Sequence, residues 1–370
     1  MHEPGRLGTT KAPPPPCSAR LGLASDDATT AQEVHFPPSD SHGLDRMKIS
    51  INPFSSSENE YISRTNGILA RMADTRALPG VKRAFLNPHS LYAARCDIAI
   101  LHWVENTMLD GRGRVSRLRE IRLYFYIRLL RLISKRLIMV RHNNYPHDSD
   151  HEQIPRIKHL MKSYEKYFDV VVTHSGHNAD SGYIYVPHPL YTRAATSGRL
   201  IDGDYFFILG RILPYKAIDK LIAHLSPDVH LVVAGKAPDP TYLAKCKELA
   251  AGKQVTFITG YLPDSDAANL VTHARGMVVP NSDEDMVVSG NYFFSFSYGV
   301  PIFTVQTPFT NWLMECKDPG GLHQYPCISS LARSLLDASI ANHPDPEKIE
   351  EAFGNSAVAR GWASALAAAE

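Results

Sequence analysis

Apolar runs typical of buried β-strands recur at nearly constant spacing through the second half of the chain. They fall at 205–209, 230–234, 255–258, 276–279 and 301–305, so that successive starts are separated by 25, 25, 21 and 25 residues. Helical patterns fill the intervals, at about 216–225, 240–251, 265–274 and 290–298. An interval of this length holds one strand and one helix. The pattern therefore predicts a doubly wound, Rossmann-like α/β domain with a parallel sheet.

The first half of the chain repeats this alternation less regularly. Strand-like runs lie at 47–52, 96–102, 137–141, 169–173 and 183–186, with helical patterns near 60–73, 114–135 and 153–166. Runs that are apolar at consecutive positions are typical of strands buried on both faces of a parallel sheet. We therefore expect a second Rossmann-like domain. Three further helical patterns end the chain, at 328–340, 345–353 and 355–369.

Changes in composition suggest the domain limits. Residues 1–46 are rich in proline and lack a periodic apolar pattern, which predicts a disordered tail and makes Met47 a candidate start of translation. The stretch 186–191, followed by a polar segment up to Gly203, is typical of a linker. We expect a first domain at 47–190, a second at 191–345, and C-terminal helices at 346–370 that pack back toward the first domain.

The composition is that of an ordinary globular protein. Among the 370 residues, 44% are hydrophobic and 21% charged, and 39 basic residues against 38 acidic ones give a net charge of +1. This balance of charge argues against a protein whose main role is to coat nucleic acid. Five scattered cysteines without a CxxC pair argue against zinc knuckles and a disulfide framework, and favour a reducing compartment. No apolar run reaches the roughly 18 residues of a membrane span, so we expect a cytoplasmic protein.

The segment after the first strand of the second domain carries a basic motif. Gly210 and Arg211 follow the strand directly, and Lys216 lies five residues further on. Glycine allows backbone to approach a ligand, and arginine and lysine clamp phosphate groups, so the motif is suited to a diphosphate. A surface turn with solvated basic residues is the alternative. No Gly-x-Gly-x-x-Gly follows the first strand of either half, which disfavours a dinucleotide site.

Four motifs in order resemble the C-terminal half of GT-B-fold glycosyltransferases. They are Gly210-Arg211 with Pro214-Tyr-Lys216, Val232-Val-Ala-Gly235, Gly260-Tyr-Leu-Pro-Asp264 and Tyr298-Gly-Val-Pro301. The match covers about 200–310 and resembles the family 4/family 1 group that acts in bacterial surface-polysaccharide assembly. The resemblance implies two Rossmann-like domains facing a central cleft. It further implies a UDP- or GDP-linked sugar donor bound by the second domain, an acceptor bound by the first, and no cofactor or essential metal.

The stretch before the predicted helix at 290–298 is a second donor-side candidate. Ser289 is a plausible N-cap, and Gly290 and Asn291 would leave the first helical amides open to a phosphate. Glu284, in an acidic trio, could bond ribose or sugar hydroxyls. An ordinary capped helix is the alternative. Many retaining relatives carry a second glutamate eight positions after the first, but here that position is Tyr292. We therefore do not assign to this chain the family's retention of anomeric configuration or its contact between the second glutamate and ribose.

Polar loops end two strands of the first domain. His142, Asn143, His147 and Asp148 follow one strand, in a pattern that resembles the family, and His102 ends its neighbour. An inverting reaction needs a base, for which His147 and Asp148 lead, followed by His142, whereas His102 and Asn143 are placed on the acceptor side. Each histidine alone is more often an ordinary loop residue. His147-Asp-Ser-Asp-His151 offers too few carboxylates for a hard metal, so we expect no metal site.

The segment 112–136 is strongly basic. Nine basic residues (112, 114, 117, 119, 122, 128, 131, 135 and 136) accompany a single acid, Glu120, and many apolar residues. The pattern suits a helix lying on an anionic membrane surface, or a core helix with a solvated basic face. Nucleic-acid binding lacks an aromatic platform. A polyprenyl-linked or surface-glycan acceptor would fit a peripheral location at the cytoplasmic membrane face. A nucleotide-sugar 2-epimerase and a non-catalytic binding subunit remain as alternative functions.

Overall fold

The computed structural model describes residues 47–56, 59–146, 149–196, 198–281, 283, 285, 287–337 and 342–369. The expected tail, 1–46, lies outside these residues. The strands are β1 (Lys48–Asn52), β2 (Asp74–Ala77), β3 (Cys96–His102), β4 (Ser134–Arg141), β5 (Val170–Thr173), β6 (Ile184–Tyr185), β7 (Phe206–Leu209), β8 (Leu231–Gly235), β9 (Val255–Thr259), β10 (Gly276–Val279), β11 (Ile302–Val305) and β12 (Leu322–Tyr325). The helices are α1 (Glu60–Met72), α2 (Val81–Leu86), α3 (Pro88–Ala93), α4 (Arg117–Ile133), α5 (Ile154–Glu165), α6 (Ile218–His224), α7 (Pro240–Leu249), α8 (Asp264–Thr272), α9 (Gly290–Tyr298), α10 (Pro308–Cys316), α11 (Ile328–Asp337), α12 (Pro346–Phe353) and α13 (Asn355–Ala367).

The strands form two six-stranded sheets in which every pairing between the named strands is parallel. The first has the order β2-β1-β3-β4-β5-β6 and the second β12-β11-β10-β7-β8-β9. Strand order reverses between β1 and β3 in the first sheet and between β7 and β10 in the second. The expected fold class, two Rossmann-like doubly wound domains, is confirmed. In such sheets ligands bind beyond the carboxyl ends of the strands at the reversal.

Several strands inside the sheets are buried along their whole length, as their uninterrupted apolar runs require. All five residues of β8 and all four of β10 are buried, because helices cover both faces of the sheet. The edge strands β2 and β12 are only partly buried and carry polar residues. These two strands, together with α2, α3 and α10, are the elements that the sequence pattern did not predict.

The last helix of the chain packs in the core of the first sheet. Trp362 of α13 is fully buried, and it belongs to the cluster that holds Ile49, Ile98 and Ile138 from β1, β3 and β4. The indole is therefore shared between the end of the chain and its first strands. The packing of α13 therefore joins the two halves in addition to the linker. The exact domain limits stay a prediction.

The basic segment divides between a helix and a strand. The helical pattern expected at 114–135 forms α4 over Arg117–Ile133, and β4 begins directly at Ser134. Lys135 and Arg136 therefore belong to the sheet. In the described part of the chain, no helix combines the length and apolarity needed to cross a bilayer. Cys96, Cys246 and Cys327 are free thiols, whereas Cys316 is disulfide-bonded, which departs from the fully reduced chain that the scattered cysteines favoured.

Candidate functional site

A cleft of about 330 Å³ lies between the carboxyl ends of the two sheets. Its lining includes residues that follow the strands at both reversals of strand order, which is where the fold is expected to bind ligands. The cleft brings together most of the residues singled out in the sequence: His142, Asn143, Gly210, Arg211, Lys216, Ser289, Gly290 and Asn291. Three others, His147, Asp148 and Glu284, lie outside the described residues, so their roles stay predictions.

Two glycines allow backbone segments to approach each other at the floor of the second domain's half. Gly210, with φ 108°, and Gly235, with φ 143°, both adopt backbone angles that favour glycine. A Cβ on Gly235 would lie 2.2 Å from the Gly210 carbonyl oxygen, and a Cβ on Gly210 would lie 2.7 Å from Nζ of Lys216. Gly235 therefore requires glycine for steric reasons, because it meets backbone, whereas Gly210 is favoured by its backbone angle and by the space that it leaves for the Lys216 ammonium group.

Lys216 places a positive charge in this part of the cleft. Its Nζ donates to the Leu209 carbonyl at 2.7 Å, and the Asn291 side chain donates to the same oxygen at 2.9 Å. Burial, followed by repulsion from Arg211, lowers the pKa of Lys216 to about 8. The ammonium group is thus still mostly protonated at pH 7. Lys216 and Arg211 together make this half of the cleft suited to an anion.

The amino end of α9 borders the same space. Ser289 occupies the N-cap position with an extended backbone, as predicted, but its side chain makes no capping hydrogen bond. A Cβ on Gly290 would lie 2.6 Å from the hydroxyl of Tyr191, so a larger residue would displace this tyrosine. Ser289, Gly290 and Asn291 all line the cleft. A helix amino end of this kind favours negative charge through its dipole and its backbone amides.

The position at which relatives carry a second glutamate faces the core. Tyr292 is fully buried, and its hydroxyl is hydrogen-bonded to Oγ1 of Thr304 at 2.7 Å. The chain therefore presents no acid to the cleft from this position. Its neighbour Asn291 lines the cleft instead.

Four buried histidines surround Tyr61 in the first domain's half. His102, His142, His174 and His188 have ring centroids within 4.9–5.6 Å of the Tyr61 ring. Burial lowers the pKa of each imidazole, to about 3 for His102 and His188 and about 4 for His174. All four are therefore uncharged at neutral pH. Among the described residues, no group of His, Cys, Asp and Glu could hold a metal ion.

His142 and His102 occupy different depths of this cluster. His142 lines the cleft and stacks on Trp103, with ring centroids 4.4 Å apart. His102 lies behind it, with Nδ1 3.0 Å from Nε2 of His142, and is almost completely buried. His102 is not part of the cleft lining, so its placement on the acceptor side stays a prediction, and any effect on a ligand in the cleft would pass through His142. His142 is a weak base in these surroundings, and serves better as a hydrogen-bonding group.

Asn143 is held by a buried carboxyl group. Its amide nitrogen lies 3.3 Å from Oε1 of Glu105, a residue with no solvent exposure. The other carboxyl oxygen of Glu105 has no hydrogen-bond partner among the described residues. Burial raises the pKa of Glu105 to about 7. The glutamate thus supports one wall of the cleft at a cost in stability that depends on pH.

We predict that Glu105→Gln removes this pH dependence. The folded protein keeps the Glu105 proton up to about pH 7, whereas the unfolded chain releases it near 4.5, so the free energy of unfolding falls as the pH rises between these values. Glutamine does not titrate. The free energy of unfolding is measured in urea at pH 4.5 and at pH 7.5. Between these values the wild type should lose on the order of 3 kcal/mol relative to the variant. Glu347→Gln, at an exposed position of α12, is the control; equal pH profiles for Glu105→Gln and the wild type would contradict the prediction.

The acidic stretch before α9 contacts the first domain. Tyr145 donates to Asp283 at 2.6 Å, Asn144 donates to the Asp285 carbonyl at 2.8 Å, and Lys158 forms an ion pair with the Asp285 carboxylate. The sequence suggested that a member of the acidic trio bonds ribose or sugar hydroxyls. The Asp283 and Asp285 side chains join the two halves beside the cleft, and the role of Glu284 stays a prediction.

Several cleft residues were not among the site residues proposed individually from the sequence, although the loop ending at Asn59 was expected at the rim of the cleft: Asn59, Tyr61, Trp103, His188, Tyr191 and Asn281. Asn59 caps α1 by accepting from the Tyr61 amide at 3.0 Å, which fixes the start of that helix at the cleft. Trp103 has a left-handed backbone, with φ 50°, directly after β3. The sequence already placed it at the carboxyl end of a strand, in a position equivalent to that of His142.

Comparison with known proteins agrees with this architecture. No family model and no curated protein matches the sequence. Among solved structures, AviGT4, a glycosyltransferase involved in avilamycin A biosynthesis, has a TM-score of 0.54 at 12% identity, over 87% of this chain and 98% of its own. HepE of Anabaena, in complex with UDP-glucose, has a TM-score of 0.57 at 10% identity, over 87% and 99%. WaaB, a lipopolysaccharide outer core galactosyltransferase, has 0.50 at 14%, over 86% and 99%. The likeness confirms the GT-B fold expected from the sequence motifs.

Proposed function

We propose that the protein is a metal-independent glycosyltransferase, which moves a sugar from a nucleotide-diphosphate donor to a glycan or polyprenyl-linked glycan acceptor. The observation that carries this proposal is the pairing of Lys216 and Arg211 with the amino end of α9 at the strand-order reversal of the second sheet. This is a site for a diphosphate. The uncharged polar groups of the first domain lie opposite, where a sugar and an acceptor hydroxyl would bind.

The donor half of the cleft would stabilise the leaving group. Negative charge grows on the departing diphosphate as the glycosidic bond breaks, and fixed cations and helix amides placed beforehand stabilise that charge most effectively. Lys216 is held in place through the Leu209 carbonyl, which Asn291 also contacts. Two protein cations would do here what a metal does in other transferases.

The acceptor half would orient hydroxyl groups. His142 is uncharged and Asn143 is held by Glu105, so both can exchange hydrogen bonds with a sugar without introducing charge. His147 and Asp148 remain the proposed base for an inverting reaction. If the reaction retains configuration, the diphosphate itself can accept the proton and neither residue is required.

The test of this proposal begins with donor binding. A nucleotide at 100 times its dissociation constant should stabilise the protein by about 2.7 kcal/mol, which is visible as a rise in melting temperature. UDP and GDP are the first probes, and UDP-glucose, the ligand of the HepE complex, is the first donor. Stabilisation by one nucleotide, followed by sugar transfer to a glycan acceptor, is the expected result. Conversion of the donor alone to its 2-epimer would indicate an epimerase, and no binding of either nucleotide would indicate a binding subunit.

A further inference from the structure

A second, strongly basic pocket lies at the opposite end of the first domain from the cleft. It has a volume of about 480 Å³ and is lined by residues at the amino ends of β1, β3 and β4 and by the end of α3. Four cations line it: Lys48, Arg76, Arg95 and Lys135. The lining holds a single acid, Asp97. The cleft lies beyond the carboxyl ends of the same strands, so the two sites are separated by the length of the sheet.

Asp97 does not cancel the positive charge of this pocket. Its carboxylate pairs with Lys135 at 2.8 Å and accepts from the Lys48 backbone amide at 2.8 Å, and these contacts lower its pKa. Arg76 pairs with Asp74 just outside the pocket. The Arg95 guanidinium and the Lys48 ammonium have no hydrogen-bond or ion-pair partner among the described residues. The pocket therefore keeps two cations available for an anion.

The walls of this pocket are exposed and apolar. Leu132, at the end of α4, and Tyr92, in α3, both line it, although 76% and 71% of their surfaces are exposed. Exposed apolar residues at this density mark an interaction surface. Leu132 continues a stripe along the outer face of α4 formed by Leu118, Ile121 and Phe125, which we call the α4 ridge. The opposite face of the helix, with Leu123, Tyr126, Ile127 and Leu130, is buried in the core.

Basic side chains flank the α4 ridge along its length. Arg117, Arg122 and Arg128 are exposed beside it, and none has an acidic partner among the described residues. A helix with an apolar outer stripe bordered by arginines is suited to lie in the plane of an anionic bilayer surface. A purely protein partner would not require this surplus of positive charge, and a nucleic acid would not bury leucine and isoleucine side chains.

We propose that the basic pocket binds the headgroup phosphate of an anionic phospholipid while the α4 ridge rests in the membrane interface. Arginine and lysine provide the charge-assisted donors that a phosphate accepts, and the apolar walls formed by Leu132 and Tyr92 suit the adjoining acyl region. The proposal adds a lipid site to the membrane contact suggested by segment 112–136. The proposal can be tested independently of sugar transfer, because the quantity measured is binding to lipid.

This arrangement also relates the membrane to the cleft. Because α4 connects the carboxyl end of β3 to the amino end of β4, it spans the sheet from the cleft end to the basic pocket. Its 17 residues extend over about 25 Å. With the α4 ridge on the bilayer, both ends of the domain reach the surface, and a lipid-linked acceptor can enter the cleft from the membrane.

The experiment is sedimentation of the full chain with vesicles of phosphatidylcholine alone or mixed with phosphatidylglycerol. We expect binding to the mixed vesicles only, weakened by salt. Arg95→Glu changes two units of charge at a residue without side-chain partners, and should weaken binding about 25-fold, at about fivefold for each charge near an anionic surface. Leu132→Ser should weaken binding as well. Lys247→Glu, the same charge change on the exposed face of α7 in the other domain, should bind as the wild type does.

Five results would overturn the proposal. Equal binding to both kinds of vesicle would show that lipid charge plays no part. Unchanged binding by Arg95→Glu would show that the basic pocket does not bind the lipid. Tight binding of inorganic phosphate without vesicles, abolished by Arg95→Glu, would assign the pocket to a soluble phosphate ligand. Capture of RNA by the same residues, or a stable dimer that dissociates in Leu132→Ser, would assign the surface to another partner. Donor binding, measured in parallel, is expected to be unaffected by these variants, so failure here leaves the proposed sugar transfer standing.

Discussion

Lys216→Met is expected to lower the rate of sugar transfer by a factor of about 10² to 10³, the loss seen when one fixed charge-stabilising group is removed from an active site. Methionine retains most of the side chain's volume but loses the ammonium group that lies beside Gly210 and donates to the Leu209 carbonyl. Charge developing on the diphosphate would then be stabilised by Arg211 and the amino end of α9 alone.

The measurement is release of nucleoside diphosphate under saturating donor and acceptor, together with the melting temperature of each variant. Lys220→Met is the matched control, because Lys220 is an exposed lysine of α6 one turn away from the cleft. We expect it to retain wild-type activity. If the Lys216→Met protein is folded and has wild-type turnover, Lys216 has no role in the mechanism. The same variant should also bind the nucleotide less tightly, since part of the interaction already exists in the ground state.

Trp362→Ala is expected to lower the free energy of unfolding by about 3–5 kcal/mol, as is usual when a buried aromatic side chain is deleted. The indole is fully buried against strands of the first sheet, and its nitrogen has no hydrogen-bond partner among the described residues. The loss is therefore one of packing and apolar burial, with no polar contact to offset it. Urea unfolding followed by tryptophan-independent circular dichroism measures this difference.

Arg360→Ala is the control for this prediction, because it changes an exposed residue of the same helix. We expect an effect within about 0.5 kcal/mol. If Trp362→Ala were equally mild, α13 would have to contribute little to the core of the first sheet. The prediction also separates stability from catalysis, since the Trp362 side chain lies outside the cleft lining.

Much of the fold follows from local pattern. The predicted strands at 96–102 and 276–279 and the predicted helix at 290–298 coincide with β3, β10 and α9, because uninterrupted apolar runs and a clear helix start are local signals. The strands β2 and β12, each at one edge of its sheet, escaped prediction because they are only four residues long and carry mostly polar side chains. Their existence depends on neighbours that are distant in sequence.

The site was less accessible to sequence reasoning. The motif at Gly210 and Lys216 was identifiable because both residues lie within one turn, and their close approach is a local property. The depth of His102 was not, because it depends on how the rings of Tyr61 and three other histidines pack, including a contact between Tyr61 and His174, which are 113 residues apart. The contacts of Asp283 and Asp285 with Tyr145 and Lys158 likewise require both domains to be in place.

The burial of Trp362 has a consequence for how the chain is made. A ribosome releases the strands β1 to β6 first, yet the core that they share with α13 lacks its indole until residue 362 emerges. Domains generally fold in the order of their synthesis, but here the core of the first sheet is completed only after the strands of the second sheet have been made. Until then, the apolar face that receives the helix stays uncovered in the nascent chain. A 3′-truncated message would therefore yield a protein with a defect in its first domain.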